Sequence, residues 1–135
     1  MPTSNPAPGA RLTLQALVWM HTVAVAEFGG SQGVRDPGLL ESALARPLAT
    51  FGGKNLYDTP FKRAAALAES IVLNHGFVDG NKRTAMYAMG AWLELEGHRV
   101  EAARGELRDL ALAIATRQLD IEGIAKWLER RSVAL

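Results

Sequence analysis

His75, Asp79, Asn81, Lys82 and Arg83 fall within nine positions of one segment, HGFVDGNKRT at 75–84. That density of polar groups is costly beside apolar sequence unless the groups are used or paired. His75 is the side chain here able to take a proton at neutral pH, so a hydroxyl nucleophile is its natural partner. Gly80 lets the backbone approach a ligand closely, while Asn81, Lys82 and Arg83 add donors and two positive charges at the start of a helix. The set suits a polyphosphate. Asp79 would repel phosphate unless a divalent cation stood between them, and Mg²⁺ with ATP reconciles the two. Phe77 reads as an apolar anchor. Taken singly, each residue also fits a structural role: Asp79 as an N-cap, Lys82 and Arg83 as solvated charges, His75 as a helix end. The residues alone therefore support an anion site and leave catalysis open; the Walker spacing, GxxxxGK followed by Ser or Thr, is absent.

The elements that must position this segment read as helices. Leu14, Leu17, Val18, His21, Val25 and Phe28 recur at helical spacing after Thr13, a cap, and before Gly29 and Gly30, a stop. Asp36 and Pro37 open a short helix carrying Leu39, Leu40, Ala43 and Leu44, which Pro47 ends. Thr59 and Pro60 open another, running to about Asn74, apolar on nearly every side and so central. A second dense helix runs from Lys82 to a C-cap at Gly97. After an irregular stretch from His98 to Arg104, Leu107, Leu110, Ala111 and Ile114 mark a further helix, and Asp120 caps a last one bearing Ile121, Ile124, Trp127 and Leu128. Residues 47–59 lack a helical period and form either a loop or a short hairpin around Gly52 and Gly53. The fold class expected is all-α, a compact bundle of about six helices with one small hairpin near residue 53.

Composition sets the bounds. The chain has 135 residues, enough for one domain with a real core, expected over 11–135 after a proline-rich leader at 1–10. With no cysteine there is neither a disulfide framework nor a thiolate nucleophile. Lys+Arg 15 against Asp+Glu 14 leaves a net charge of +1, with the basic residues spread out, which argues against generic nucleic-acid or membrane-surface binding. No signal peptide or membrane span is indicated, and a cytoplasmic protein is expected. No HxxxH spacing joins the three histidines, so a His-ligated metal is not expected. Met86, Met89, Trp19, Trp92 and Trp127 are assigned to the core, and Arg130 and Arg131 to a solvated helix end.

HGFVDGNKRTA resembles the signature of the Fic/Doc (Fido) family, HPFxxGNGR in its Fic form, and more closely that of the death-on-curing toxins, in which NKR replaces NGR. The likeness extends from about Leu12 to Leu128 through RDPGLLESALARP and ATFGGKNLY. It implies the all-helical Fido core, with His75 as the base that deprotonates a target hydroxyl, Asp79 positioning Mg²⁺ and ATP, Gly80 and Asn81 forming the anion-holding turn, and Arg83 binding phosphate. Lys82 stands where Fic enzymes keep a glycine, and Gly76 where they keep a proline. In the death-on-curing group the nucleotide lies reversed, exposing its γ-phosphate, so the implied reaction is phosphorylation of a protein, by resemblance a threonine of elongation factor Tu, arresting translation. The alternatives are AMP transfer on the same fold and a non-catalytic helical binding module.

The resemblance also implies a target-docking flap, Gly52, Gly53, Lys54, Asn55, Leu56 and Tyr57, adding a strand to the target's backbone; an ordinary connecting loop is the other reading. Some Fic proteins carry an inhibitory helix with Ser or Thr four positions before a Glu followed by Gly or Asn. Here the two Glu-Gly pairs, at 96–97 and 122–123, are preceded at that distance by Trp92 and Gln118. Inhibition is therefore expected from a partner, a cognate Phd-like antitoxin whose disordered C-terminal tail folds on the toxin, with no direct DNA binding by this chain.

Overall fold

The computed structural model describes residues 11–135; the leader assigned to 1–10 lies outside them. Short polar side chains set four helix starts, each accepting from a backbone N–H that the first turn leaves without a partner. Thr13 does so for α1, Leu14–Phe28, and Asp36 for α2, Pro37–Ala45. Thr59 does so for α3, Pro60–Asn74, and Asp120 for α6, Ile121–Arg131. Proline at the first position of α2 and α3 loses no bond, because that N–H has no helical acceptor. The other two helices, α4 at Asn81–Leu95 and α5 at Glu106–Ala115, start from glycines in the left-handed region with no side-chain cap. The described residues thus form a compact all-α bundle of six helices.

α3 is the axis. Ala64 through Ala68, Ile71 and Val72 are at most 1% exposed, and the small alanines let α4, α6 and α2 approach closely on different sides. α1 and α5 pack on α4. Leu17, Leu67, Met89, Leu93, Leu110, Ile114, Ile124 and Leu128 fill the space between. Truncating any one of these leucines to alanine costs about 2–5 kcal/mol. Met86, Met89 and Trp92 are buried as expected, and Trp127 is half-buried. Trp19 and Phe28 are corrections: both are more than half exposed, at 66% and 54%. Among the described residues no helix is long and apolar enough to cross a membrane.

One small antiparallel hairpin and one antiparallel pair of strands distant in sequence complete the described residues. β1, Thr50–Phe51, pairs with β2, Lys54–Asn55, around Gly52 and Gly53, whose φ of 58° and 79° suit the two-residue turns that follow a strand's twist. A 3₁₀ turn at Arg46–Leu48 leads into it, carrying the buried Pro47. The stretch expected to be irregular after Gly97 instead holds β3, His98–Val100, paired with β4, Ser132–Ala134. α4 ends one residue earlier than expected, with Glu96 as its C-cap. Arg131 is not merely solvated: it donates to Glu106 Oε2 at 2.7 and 2.9 Å and lies 4.2 Å over the Trp127 ring, tying α6 to α5.

Candidate active site in the groove at the start of α4

Between α3 and α4 the chain must reverse within six residues, 75–80. His75 begins the turn in the left-handed region, at φ 54° and ψ 50°, where a non-glycine residue is uncommon. Arg35 supports it, donating from Nε to the His75 carbonyl at 2.6 Å and from Nη2 to that of Asn74 at 3.0 Å. At Gly76, where Fic enzymes keep a proline, the fold shows why glycine is needed. A Cβ would collide with Leu40 Cδ2 and lie 2.8 Å from Leu40 Cγ. The Gly76 carbonyl accepts from the N–H groups of Arg35 and Asp36, so the entry is fixed by packing and two bonds.

Phe77 is the buried anchor, 1% exposed. Its N–H donates to Asn81 Oδ1 at 3.0 Å, and its carbonyl accepts from Asn81 Nδ2 at 3.1 Å. The Asn81 amide is therefore consumed in closing the loop, and what Asn81 offers a ligand is its backbone N–H. Val78 donates to the Gly33 carbonyl. Asp79 is exposed, with its carboxylate accepting from Gly80 N at 2.9 Å and from Ser31 N at 3.2 Å. It does not cap α4; that position belongs to Gly80, at φ 75°. Gly30 makes room for the carboxylate, since a Cβ there would lie 2.7 Å from Asp79 Oδ2.

The start of α4 has no capping side chain. A helix N-terminus carries a partial positive charge and free N–H groups, normally offset by a capping oxygen or early acidic residues. α5, also uncapped, has Glu106 and Asp109 in its first turn. α4 has neither cap nor acid there, and instead bears Lys82 and Arg83, both exposed. Among the described residues neither cation forms an ion pair; the Arg83 guanidinium rests 3.3 Å over the Phe28 ring, which explains why Phe28 sits at the surface.

His75, Asp79, Gly80, Asn81, Lys82 and Arg83 all line one groove, about 790 Å³ in volume, so the fold brings together every predicted catalytic, phosphate and metal residue. Its floor is the end of α1, with Ala24 and Phe28, and its far wall is α5, with Leu107, Ala111 and Leu112. The predicted docking segment stands elsewhere. Gly52 to Leu56 are exposed, none lines the groove, and Tyr57 is half-buried, its hydroxyl accepting from Arg46 at 3.0 Å and its carbonyl from Arg63 at 2.9 Å. No cluster of three or more metal-ligating side chains exists among the described residues. A metal here would lean on Asp79 and on phosphate oxygens, the usual manner of Mg²⁺ at a nucleotide.

The Fic/DOC family profile matches residues 11–93, which include the whole loop. The chain belongs to the Fic/DOC family. It is 45% identical over 105 residues to the Toxin Doc of Mycolicibacterium smegmatis (strain ATCC 700084 / mc(2)155), covering 75% of this chain and 79% of that protein. It is 29% identical over 116 residues to the Protein kinase doc of Escherichia phage P1, covering 86% and 90%. In this Fic/DOC chain α5 and α6 lie beyond the matched span, so the far wall of the groove comes from outside it.

Sequence reasoning missed three contributors: α5, the Gly30–Ser31 segment, and His21. His21 reads from sequence as one position of the first helix's apolar period, yet its Nε2 lies 2.7 Å from the Asp79 carbonyl. One signal was present. An imidazole among Leu14, Leu17, Val18 and Val25 on an apolar stripe needs a polar partner inside.

Proposed function

We propose that this chain is a toxin that uses ATP and Mg²⁺ to phosphorylate a threonine of a translation factor, elongation factor Tu by resemblance, and so arrests translation in the cytoplasm. The observation that carries this reading is the start of α4: an uncapped helix end bearing two cations with no ion-pair partner among the described residues, in the same groove as an exposed histidine. Such an end favours a polyphosphate. The groove volume, about 790 Å³, lies within the range of small-molecule and cofactor pockets. The names Toxin Doc and Protein kinase doc, borne by two relatives, agree with it.

In this reading His75 accepts the proton of the target hydroxyl, whose oxygen forms a bond to the γ-phosphorus as the bond to the β-bridging oxygen breaks, and ADP leaves with the electron pair. Among the described residues the His75 ring makes no hydrogen bond, which leaves it free for that proton. Lys82 and Arg83, with the N–H groups of the first turn, hold the phosphates, and Phe28 holds the Arg83 guanidinium in place. Asp79 is the residue to hold Mg²⁺, which when bound offsets charge on the phosphates. The β1–β2 hairpin, with an exposed edge and Phe51 82% exposed, docks the target as an added strand. Restraint comes from a Phd-like antitoxin tail.

The test is incubation with elongation factor Tu and ATP labelled on either the α- or the γ-phosphate. Transfer of the γ label, abolished by His75→Ala, is expected. Transfer of the α label alone would falsify the kinase reading in favour of AMP transfer; no transfer, with growth arrest surviving His75→Ala, would favour a binding module.

A further inference from the structure

His21 is 2% exposed and lies on α1, outside the groove lining. Three neighbours in the motif loop rest on this one imidazole. Its ring lies flat on Phe77, centroids 3.9 Å apart and planes 2° from parallel. Its Nε2 stands 2.7 Å from the Asp79 carbonyl; a carbonyl oxygen only accepts, so Nε2 carries the hydrogen and donates it. It also floors Gly80, where a Cβ would meet His21 Cδ2 and Nε2 at 3.6 Å and Val25 Cγ2 at 3.3 Å. A leucine or phenylalanine would pack on Phe77 as well without the cost of burying a polar ring. What the imidazole adds is the donor, aimed at the peptide that joins the exposed carboxylate of Asp79 to the glycine opening α4.

We propose that His21 is the positioning residue of the anion-binding turn. Its hydrogen bond fixes the plane of the Asp79–Gly80 peptide, so that the Asp79 carboxylate and the free N–H groups of α4 face the groove together. On its other side the peptide N–H, that of Gly80, donates to Asp79's own Oδ1 at 2.9 Å, and among the described residues the one further hold on that side chain is Ser31 N, 3.2 Å from Oδ2; Asn81 holds Phe77, and Gly33 holds Val78. Without His21 the Asp79–Gly80 peptide loses its shortest bond, at 2.7 Å, and turns on the flexible Gly80, leaving Asp79 held from outside the loop by the longer Ser31 N–H bond alone. The role of Asp79 toward Mg²⁺ rests on the proposed function; the anchoring of the loop does not.

The experiment compares the full chain with His21→Gln and His21→Met, side chains of similar length of which only glutamine has an N–H to donate. In protein free of metal and nucleotide, amide exchange by NMR at Phe77, Val78 and Gly80 is expected to quicken at least about tenfold in His21→Met and to stay within about threefold in His21→Gln. The gain in ATP affinity on adding Mg²⁺, by calorimetry, is expected to fall about 10–100-fold in His21→Met and to survive in His21→Gln. Equal behaviour of the two variants, or unchanged exchange in His21→Met, overturns the proposal. So does quickened exchange with the Mg²⁺ gain intact. If the unaltered chain binds no ATP, the proposed function fails, and the exchange comparison still decides whether His21 holds the loop. Should His21→Met not fold, His21→Phe, which keeps the stack without the donor, replaces it under the same criteria.

Discussion

Two places in this molecule each hold a pair of cations, and they are treated in opposite ways. On either side of the β1–β2 hairpin in sequence, Arg46 bonds Glu69 at 2.9 Å and Ser70 at 3.0 Å, and Arg63 grips Glu96 through two nitrogens at 2.7–3.2 Å. Trp92 adds a bond to Glu96 at 2.6 Å, and both arginines reach Tyr57. At the start of α4, Lys82 and Arg83 find no carboxylate partner among the described residues, although Asp79 is close in sequence and its oxygens are taken by backbone N–H groups. Arginines neutralised in place build structure; cations left at the positive end of a helix store attraction for something that arrives later. Charge pairing thus separates the part that holds the fold from the part proposed to act.

The sharpest way to break this comparison is at the histidine. His75→Ala is expected to lower target phosphorylation about 10²–10⁴-fold with little change in melting temperature, because the residue is exposed and its ring makes no described hydrogen bond. A large fall in stability alongside would place His75 in the structural part instead. The next largest effect should come from the other site. Arg63→Ala leaves Glu96 half-buried without its guanidinium and is expected to cost about 2 kcal/mol, or roughly 5–10 °C in melting temperature. ATP affinity measured by calorimetry on the folded variant should not move.

A pH titration of stability sharpens the same contrast. Burial alone would push Glu96 up, but the hydrogen bonds from Arg63 and Trp92 and the charge of Arg63 outweigh it and hold its carboxyl below the ordinary glutamate value of 4.5. Glu106 is held below it by Arg131 and the Ala103 N–H. A carboxyl lowered in the folded state binds fewer protons there than when unfolded, so its contribution is present above pH 4.5 and is lost as pH falls through the folded value. Denaturant melts between pH 6 and pH 3 (a range set about the ordinary glutamate value) should show this loss, and Arg63→Ala should flatten it. The smallest effect carries a sign that few substitutions would share. Lys82→Glu places an acid in the first turn of α4 and is expected to stabilise the free protein by about 0.3–1 kcal/mol while reducing ATP binding. A destabilised variant would show that Lys82 already serves the fold.

Much of the architecture was readable because it is local. Thr13, Asp36, Thr59 and Asp120 each cap the helix that the sequence assigned to them, since a short oxygen-bearing side chain before an apolar period has few other uses. The groove residues were readable for the same reason: they come from one segment and the first turn after it. What was missed is non-local. His21 meets Asp79 across 58 positions of sequence, and β3 finds its partner beyond α5 and α6 in strands of three residues, too short for alternation to show. Trp19 and Phe28 were misplaced because an apolar type favours the interior without requiring it. For Phe28 the surface position has a use, as the plate beneath Arg83.

The bare start of α4 also bears on how the protein behaves in a tube. Any anion that occupies this end binds the folded chain and not the unfolded one, so it raises the melting point by mass action. Exchanging a chloride buffer for phosphate or sulfate at equal ionic strength should therefore shift the melting curve of the unaltered chain, and storage buffer becomes a variable to be fixed before any two variants are compared.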